Sequence, residues 1–293
     1  MQKLAFTKVD VFTSKPLHGN QLAVFTDAAG LETEQMQALA REMNLSESTF
    51  VIPRPSGEKH DNAVRVRIFT VNEELPFAGH PTLGTAWVLR KASGSSEIRL
   101  DLNVGQIPVH FTTGEDGEVF GEMQQRDPQF GDVHSQGDVA RALGVHAQDL
   151  DPDLPIQTVS TGVPFTMVAF RSLSTLQNLH ANWSAMSAYL TDKDSKFLYL
   201  VCRETVDPEA RLHARMIFYN GEDPATGSAA GCCAAWMAAH GVSKSGERVL
   251  IEQGLEMKRP SRIFVSAEKH NQRVSNVRVG GNVVEVARGE VFF

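Results

Sequence analysis

The chain has 293 residues, of which 42% are hydrophobic and 22% charged, with 28 basic residues against 35 acidic ones. This composition is ordinary for a globular protein of one large or two average domains. A net charge of -7 provides no basic field for nucleic acid or anionic lipid, so neither is expected as a partner. The sequence has no apolar run of about 18 residues, and Met1–Phe12 alternates like a strand; we therefore expect a cytoplasmic protein without a membrane span.

The first third of the chain predicts alternating strands and helices. Period-two apolar patterns predict strands at 6–12, 21–25, 64–70 and 98–102. Apolar residues at helical spacing predict a helix over Thr33–Met43, with Asn44 as a left-handed stop. Two strand-like runs between Gln106 and Met123 flank a Gly-rich turn and predict a hairpin. The stretch Gln125–Asp132 is interpreted as an interdomain linker.

Beyond that linker the same pattern returns. "GNQLAVFTDAAGLETEQM" from Gly19 resembles "GVPFTMVAFRSLSTLQNL" from Gly162, and "PFAGHPTLGTAW" from Pro76 resembles "PATGSAAGCCAAW" from Pro224. Such a repeat predicts two α+β domains, each mostly strands around one small-residue helix, facing each other across a cleft where the helices begin. A single mixed domain with a chance likeness is the alternative. The predicted domains are 1–124 and 125–293, with a final strand free to pack back on the first domain.

The two predicted helix starts are candidate anion sites. A helix start offers unpaired N–H groups and a partial positive charge, so it can bind a substrate carboxylate without a lysine. In the second half, Thr226 and Ser228 can cap the helix or donate hydroxyl hydrogen bonds to a ligand. For Ser228 alone capping is the better interpretation, whereas for Asp223 capping and ligand binding are equally good.

Three other sites carry possible chemistry. "NLSESTF" places Glu47 among hydroxyl residues at the entry of a strand, where partial burial suits a carboxyl group to acid/base work; a solvated strand-end glutamate is the commoner case. "FAGHP" supplies His80 in a turn, where it either meets a reacting group or only caps a helix. Arg259 and Ser261 lie on a turn between strands, and Arg259 either clamps a carboxylate or forms a surface salt bridge.

Familiar cofactor and metal motifs are absent from the sequence. There is no GxGxxG after a strand, no Walker loop, no GxSxG elbow and no His/Cys cluster at metal spacing. Cys202 is isolated, and the adjacent Cys232 and Cys233 lie inside the small-residue run, so all three are predicted to be buried apolar filler. Acid/base chemistry without a cofactor or a metal is therefore expected.

Several segments together resemble one known family. "EMNLSESTFV", "RIFT", "NEELPFAGHPTLGTA", "EDPATGSAAG" and "RPS" stand in the order and approximate spacing of the phenazine-biosynthesis PhzF-like family, and the resemblance covers the whole chain. It implies the diaminopimelate epimerase type of fold: an α+β fold of two pseudo-symmetric domains, each a barrel-like, mostly antiparallel sheet around a central helix. It also implies a homodimer.

The resemblance further implies a reaction and a set of roles. The family's best-defined reaction is the isomerisation of trans-2,3-dihydro-3-hydroxyanthranilate, a small-molecule carboxylate, in which a proton leaves C3 and another is delivered at C1. Glu47 then has the acid/base role, assisted by His80 and Asp223. N–H groups near Gly79, Gly227 and Ser228 are expected to hold the substrate carboxylate.

Two departures and two alternatives accompany this hypothesis. The segment before Glu222 is shorter than is usual in the family, so the pocket wall beside Asp223 is expected to differ, and Lys258 stands where a glycine commonly precedes "RPS". One alternative is a binding or scaffold protein that keeps the fold without turnover. The other is an amino-acid racemase or epimerase, which the absence of two opposed thiols disfavours.

Overall fold

The structure is a computed structural model that describes residues 2–53, 63–218 and 221–293. The chain forms two compact units, here called the first unit (Met1–Gln124 with Gly280–Phe293) and the second unit (Gln125–Val279). The C-terminal segment therefore belongs to the first unit. Within the described ranges, every helix is too short or too polar to cross a bilayer.

Both units are built mainly from strands. The first contains strands β1 (Lys3–Val11), β2 (Asn20–Phe25), β3 (Glu47–Ile52), β4 (Val64–Phe69), β5 (Glu74–Leu75), β6 (Glu97–Leu102), β7 (Gly105–Thr113) and β8 (Val119–Gln124), with helices α1 (Thr33–Met43) and α2 (Gly79–Ser93). The second contains strands β9 (Gln129–Val133), β10 (Gln157–Ser160), β11 (Pro164–Phe170), β12 (Phe197–Cys202), β13 (Ala210–Phe218), β14 (Gly221–Asp223), β15 (Val249–Gln253) and β16 (Ser261–His270), with helices α3 (Gln136–Leu143), α4 (Leu173–Gln177), α5 (Trp183–Leu190) and α6 (Gly227–Ala239). The last strand, β17 (Arg273–Phe292), begins in the second unit and ends in the first.

The first unit is a closed barrel of eight strands. Strand β1 pairs with β2, and the pairing continues through β3, β4, β6, β7 and β8 to β17, which pairs again with β1. The β2–β3 and β4–β6 pairs are parallel, whereas β1–β2, β3–β4, β6–β7, β7–β8 and β1–β17 are antiparallel. Helix α2 packs against six of these strands and is buried from Gly79 to Ala86. The ring of strands therefore has no free edge, and α2, which packs against strands around the ring, forms its centre.

The second unit repeats this strand order. Strands β10, β11, β12, β13, β15 and β16 pair in sequence, and the parallel pairs β11–β12 and β13–β15 correspond to β2–β3 and β4–β6. Helix α6 packs against β10, β11 and β16 and is buried from Gly227 to Ala238. Its small residues allow close packing: a Cβ atom at Gly231 would lie 1.9 Å from Oε1 of Gln125.

Matching ion pairs mark the repeat in side-chain detail. Arg67 on β4 donates from Nε and a terminal nitrogen to both carboxylate oxygens of Glu74 on β5, at 2.9 and 2.6 Å. Arg215 on β13 does the same to Glu222 on β14, at 2.9 and 2.7 Å. In each unit this two-bond pair joins a long strand to the short strand that leads into the central helix.

Most predicted elements of the first unit are confirmed. Helix α1 has the predicted bounds, and Asn44 adopts the left-handed conformation with φ 49°. Strands β7 and β8 form the predicted hairpin. The linker interpretation is wrong for its second half, because Gln129–Val133 is strand β9, paired with β10. All five residues of β9 are exposed, so backbone hydrogen bonds hold a strand that has no alternating apolar pattern to reveal it.

Candidate active site

Both central helices begin without a neutralising side chain. Helix α2 starts at Gly79 and α6 at Gly227, each after an N-cap residue whose side chain makes no cap bond. Neither first turn contains an acidic residue. The partial positive charge at each helix start is thus open to an anion such as a carboxylate.

In the first unit, Glu47 and His80 come together at the start of α2. Glu47 is the first residue of β3, and His80 is the second residue of α2. The Oε2 atom of Glu47 lies 3.4 Å from Nε2 of His80, and their side chains are 13% and 4% exposed. A carboxylate and an imidazole at this distance and depth are the groups that acid/base chemistry uses.

Burial keeps the His80 imidazole neutral. It lowers the pKa of His80 to about 3, although a backbone interaction with Gln21 acts weakly in the opposite direction. The other ring nitrogen, Nδ1, lies 3.1 Å from Nδ2 of the buried Asn20. At neutral pH, therefore, His80 can donate one hydrogen bond and accept one, but it cannot supply a positive charge.

The second unit holds its acid on β14. Asp223 is buried, and its Oδ2 accepts a 2.6 Å hydrogen bond from the hydroxyl of Thr226, the N-cap residue of α6. Gln253 donates to the carbonyl of Asp223 at 2.7 Å and to Thr226 Oγ1 at 3.0 Å. Its Oε1 accepts from the hydroxyl of the buried Tyr199 at 3.0 Å. The Thr226 hydroxyl thus holds the Asp223 carboxylate at the helix start, and the Gln253 amide, itself held by Tyr199, holds the Asp223 backbone.

The remaining predicted residues have distinct places. Ser228 is the second residue of α6 and is 9% exposed, so it lies at the helix start beside Gly227. Ser261 donates to the carbonyl of Pro224 at 2.8 Å and so holds the loop before α6, a structural role. Lys258 adopts φ 58°, a left-handed conformation that glycine reaches without strain. Of the short segment before Glu222, positions 219 and 220 lie outside the described residues.

The cysteines do not supply a base. All three are buried and free, as predicted. Burial raises the pKa of Cys232 to about 11 and raises the pKa of Cys233 further. Both are therefore thiols at neutral pH. No group of three or more His, Cys, Asp or Glu side chains is suited to a metal ion in the part of the chain that the structure describes.

The structure thus assembles the predicted residues in two sets, one in each unit. Glu47, Gly79 and His80 meet at the start of α2, and Asp223, Gly227 and Ser228 meet at the start of α6. Sequence reasoning missed Asn20 and Gln253. One feature of the sequence points to Asn20: the repeat aligns it with Val163, whose side chain has no hydrogen-bonding group.

Comparisons with known proteins agree with this description. The family model described as phenazine biosynthesis-like protein matches residues 9–289. A trans-2,3-dihydro-3-hydroxyanthranilate isomerase from Pseudomonas aeruginosa is 37% identical over 98% of this chain and 99% of its own. A solved PhzF family phenazine biosynthesis protein from Bacillus anthracis superposes with a TM-score of 0.89 at 29% identity, with full coverage of both chains. A hydroxyproline epimerase from Agrobacterium vitis, 11% identical, has a TM-score of 0.67 over 99% of this chain and 92% of its own, which shows a shared fold alone.

The fold and the isomerases among its relatives define the class as an isomerase with the epimerase type of α+β fold, whose two units each surround a central helix. Within that class, the chain belongs to the phenazine biosynthesis-like, or PhzF, family.

Proposed function

We propose that this isomerase moves a proton on a small cyclic carboxylate that carries amino or hydroxyl groups, as in the reaction named for its Pseudomonas aeruginosa relative. The observation that carries the proposal is the buried contact of 3.4 Å between Glu47 and a neutral His80 at the start of α2. A carboxylate at such a place can accept a proton from carbon and return it to another carbon.

The reaction proceeds by proton transfer with no change in oxidation state. The C3–H bond breaks, its proton goes to the Glu47 carboxylate, and the electron pair moves into the conjugated system of the ring. Glu47, now a carboxylic acid, delivers the proton to C1, which restores the carboxylate for another cycle. One side chain serves first as base and then as acid, so a second opposed base is unnecessary.

Other residues hold the substrate in this scheme. His80 and Asp223 bind its amino and hydroxyl groups, and N–H groups near Gly79, Gly227 and Ser228 bind its carboxylate. The open positive ends of α2 and α6 support the last role. Because the imidazole of His80 is neutral, it adds a directional hydrogen bond without competing for the proton that Glu47 carries.

The proposal extends to the working state of the enzyme. We propose a cytoplasmic homodimer that needs neither cofactor nor metal, because a carboxylate and an imidazole suffice for proton transfer. Full activity after exhaustive treatment with a chelator, and a solution mass twice that of the 32.1 kDa chain, are the expected results. A strictly metal-dependent activity would contradict the first part.

Exchange of substrate hydrogen for solvent deuterium tests the role of Glu47. The wild-type protein is expected to exchange a carbon-bound hydrogen of trans-2,3-dihydro-3-hydroxyanthranilate, and Glu47→Gln is expected to lose the exchange by at least about 10³-fold. Glu42→Gln, at an exposed position five residues away, serves as the matched control and should retain the wild-type rate. Normal exchange by a folded Glu47→Gln protein would refute the assignment.

A further inference from the structure

Asn20 is placed against His80 by the local backbone. Gly19 has φ 65°, and a Cβ atom there would lie 2.3 Å from the carbonyl oxygen of Val11, so only glycine fits the turn that leads into β2. Asn20, the first residue of β2, is 1% exposed. Its Nδ2 lies 3.1 Å from Nδ1 of His80, across 60 residues of sequence.

An amide nitrogen next to a ring nitrogen constrains the position of the ring proton. The NH₂ group of asparagine only donates, so the Nδ1 atom facing it must be the unprotonated acceptor. The single proton of the neutral imidazole then resides on Nε2, the atom 3.4 Å from Glu47 Oε2. In this tautomer, His80 presents an N–H group toward the carboxylate of Glu47.

The ring of His80 has a second partner in the backbone. The backbone of Gln21 interacts with His80 in the sense that raises the pKa, which is the effect of a carbonyl that accepts from a ring N–H. The tautomer therefore depends on the partner of each ring nitrogen, and the partner of Nδ1 is the amide of Asn20 at 3.1 Å.

We infer that Asn20 is a positioning residue that selects the Nε2–H tautomer of His80 and thereby places a hydrogen-bond donor beside Glu47. Within the proposed function, on which this part rests, this N–H binds the substrate's amino or hydroxyl group next to the Glu47 carboxylate that takes the proton. Loss of Asn20 removes the donor that keeps Nδ1 unprotonated; with the proton on Nδ1, Nε2 presents a lone pair to the Glu47 carboxylate and the pair becomes repulsive.

Nitrogen NMR of labelled histidine tests the tautomer without any substrate. The ¹⁵N frequency of each ring nitrogen separates protonated from unprotonated states, and the His80→Gln spectrum identifies the His80 signals among the ten histidines. At neutral pH we expect Nε2 protonated and Nδ1 unprotonated in the wild-type protein. A wild-type ring protonated on Nδ1, or on both nitrogens, would overturn the inference.

The substitution Asn20→Leu removes the donor at nearly constant size. Its His80 signals are expected to shift toward the Nδ1–H pattern, and unchanged signals would contradict the role of Asn20. His134, in the second unit, is an internal control, because its Nε2 lies 2.8 Å from a Thr158 hydroxyl that itself donates to Asp194. If Asn20→Leu does not fold, Asn20→Asp places an acceptor there and should protonate Nδ1, which gives the pattern of an imidazolium between two carboxylates; an Nδ1 that stays unprotonated would contradict the inference.

Activity gives a second readout. In the exchange assay, Asn20→Leu is expected to lower kcat on the order of 10²-fold and to leave KM within about threefold. A changed tautomer with an unchanged exchange rate would uphold the selection by Asn20 and reject the donor role of His80 in the proposed function. An unchanged tautomer with a lowered rate would reject the inference, because the loss would then have a different cause.

Discussion

The two units share one framework, yet only the first carries a carboxylate and an imidazole at the start of its central helix. The parallel pairs align Leu22 with Glu47 in the first unit and Phe165 with Phe197 in the second. Phe197 therefore occupies the place of Glu47, and Ser228 occupies that of His80. The Arg–Glu pair before each helix is kept in both units. The two units thus share the Arg–Glu pair that precedes the central helix and differ in the side chains at the helix start.

The units also use buried histidines in opposite ways. His80 lies 3.4 Å from one carboxylate, that of Glu47, and burial lowers its pKa to about 3. His213 on β13 is fully buried, but it lies 2.8 Å from Glu252 and 3.0 Å from Glu256, and these carboxylates raise its pKa to about 9 despite the cost of burial. Burial therefore outweighs one nearby carboxylate at His80, whereas two hydrogen-bonded carboxylates outweigh burial at His213 and make it a structural cation.

The largest expected difference between the units is catalytic. His80→Gln should lower the rate of solvent-deuterium exchange by about 10²-fold to 10³-fold, because glutamine cannot reproduce the imidazole geometry beside Glu47. Ser228→Ala, at the matching place on α6, should cost about tenfold, because it removes one hydroxyl while the backbone N–H groups remain. Exchange rates of both folded variants measure the contrast. Equal losses in the two would show that the units contribute alike.

The next prediction concerns the matching ion pairs. Arg215 is nearly buried and also donates to the carbonyls of Leu176 and Leu179 at 2.7 and 3.1 Å. Arg215→Met should therefore lower the free energy of unfolding by about 3 kcal/mol, since three backbone and side-chain partners of a buried cation, including Glu222 at 15% exposure, lose their donor. Arg67→Met, whose side chain is 20% exposed, should cost about 1 kcal/mol. Urea unfolding of both variants tests this, and a larger cost at Arg67 would contradict it.

The sequence predicted the parts of the fold that depend on neighbouring residues. Helix α1 follows from its apolar spacing and the Asn44 stop, and the β7–β8 hairpin follows from its Gly-rich turn. The repeat predicted two similar halves, since Pro76 and Pro224 precede matching small-residue helices. The roles assigned to Glu47 and Asp223 came from family resemblance rather than from local pattern.

What the sequence could not predict depends on contacts between distant residues. Gln253 meets Asp223 across 30 positions, and Asn20 meets His80 across 60. A single polar residue in a strand has the same local pattern whether it faces solvent or a buried partner. Only the strand register, which is set by the whole barrel, decides which polar side chains meet.

The pH dependence of stability should separate the two histidines. The pKa of His213 is raised in the folded protein, so its contribution is complete below about pH 6.5 and is lost as the pH rises through 9. His80, with a lowered pKa, acts in the opposite sense and costs stability as the pH falls below 6.5.

Urea unfolding at several pH values measures both effects. Between pH 6.5 and 9.5 the free energy of unfolding should fall by up to about 3 kcal/mol from His213, and His213→Gln should remove most of this slope. His80→Gln is the matched control and should keep the alkaline slope. A wild-type curve that is flat above pH 6.5 would show that His213 is neutral in the folded state.

The smallest expected effect is at the cysteines of α6. Cys232 and Cys233 are fully buried, and their raised pKa values leave almost no thiolate at neutral pH, so neither can take a proton from carbon. Cys232→Ala and Cys233→Ala should each change the exchange rate by less than about twofold, and iodoacetamide should label them only after unfolding. Rapid labelling of the native protein with loss of exchange would point to a thiol base of the racemase kind. It would also mean that α6 of the second unit supplies an acid/base group of its own.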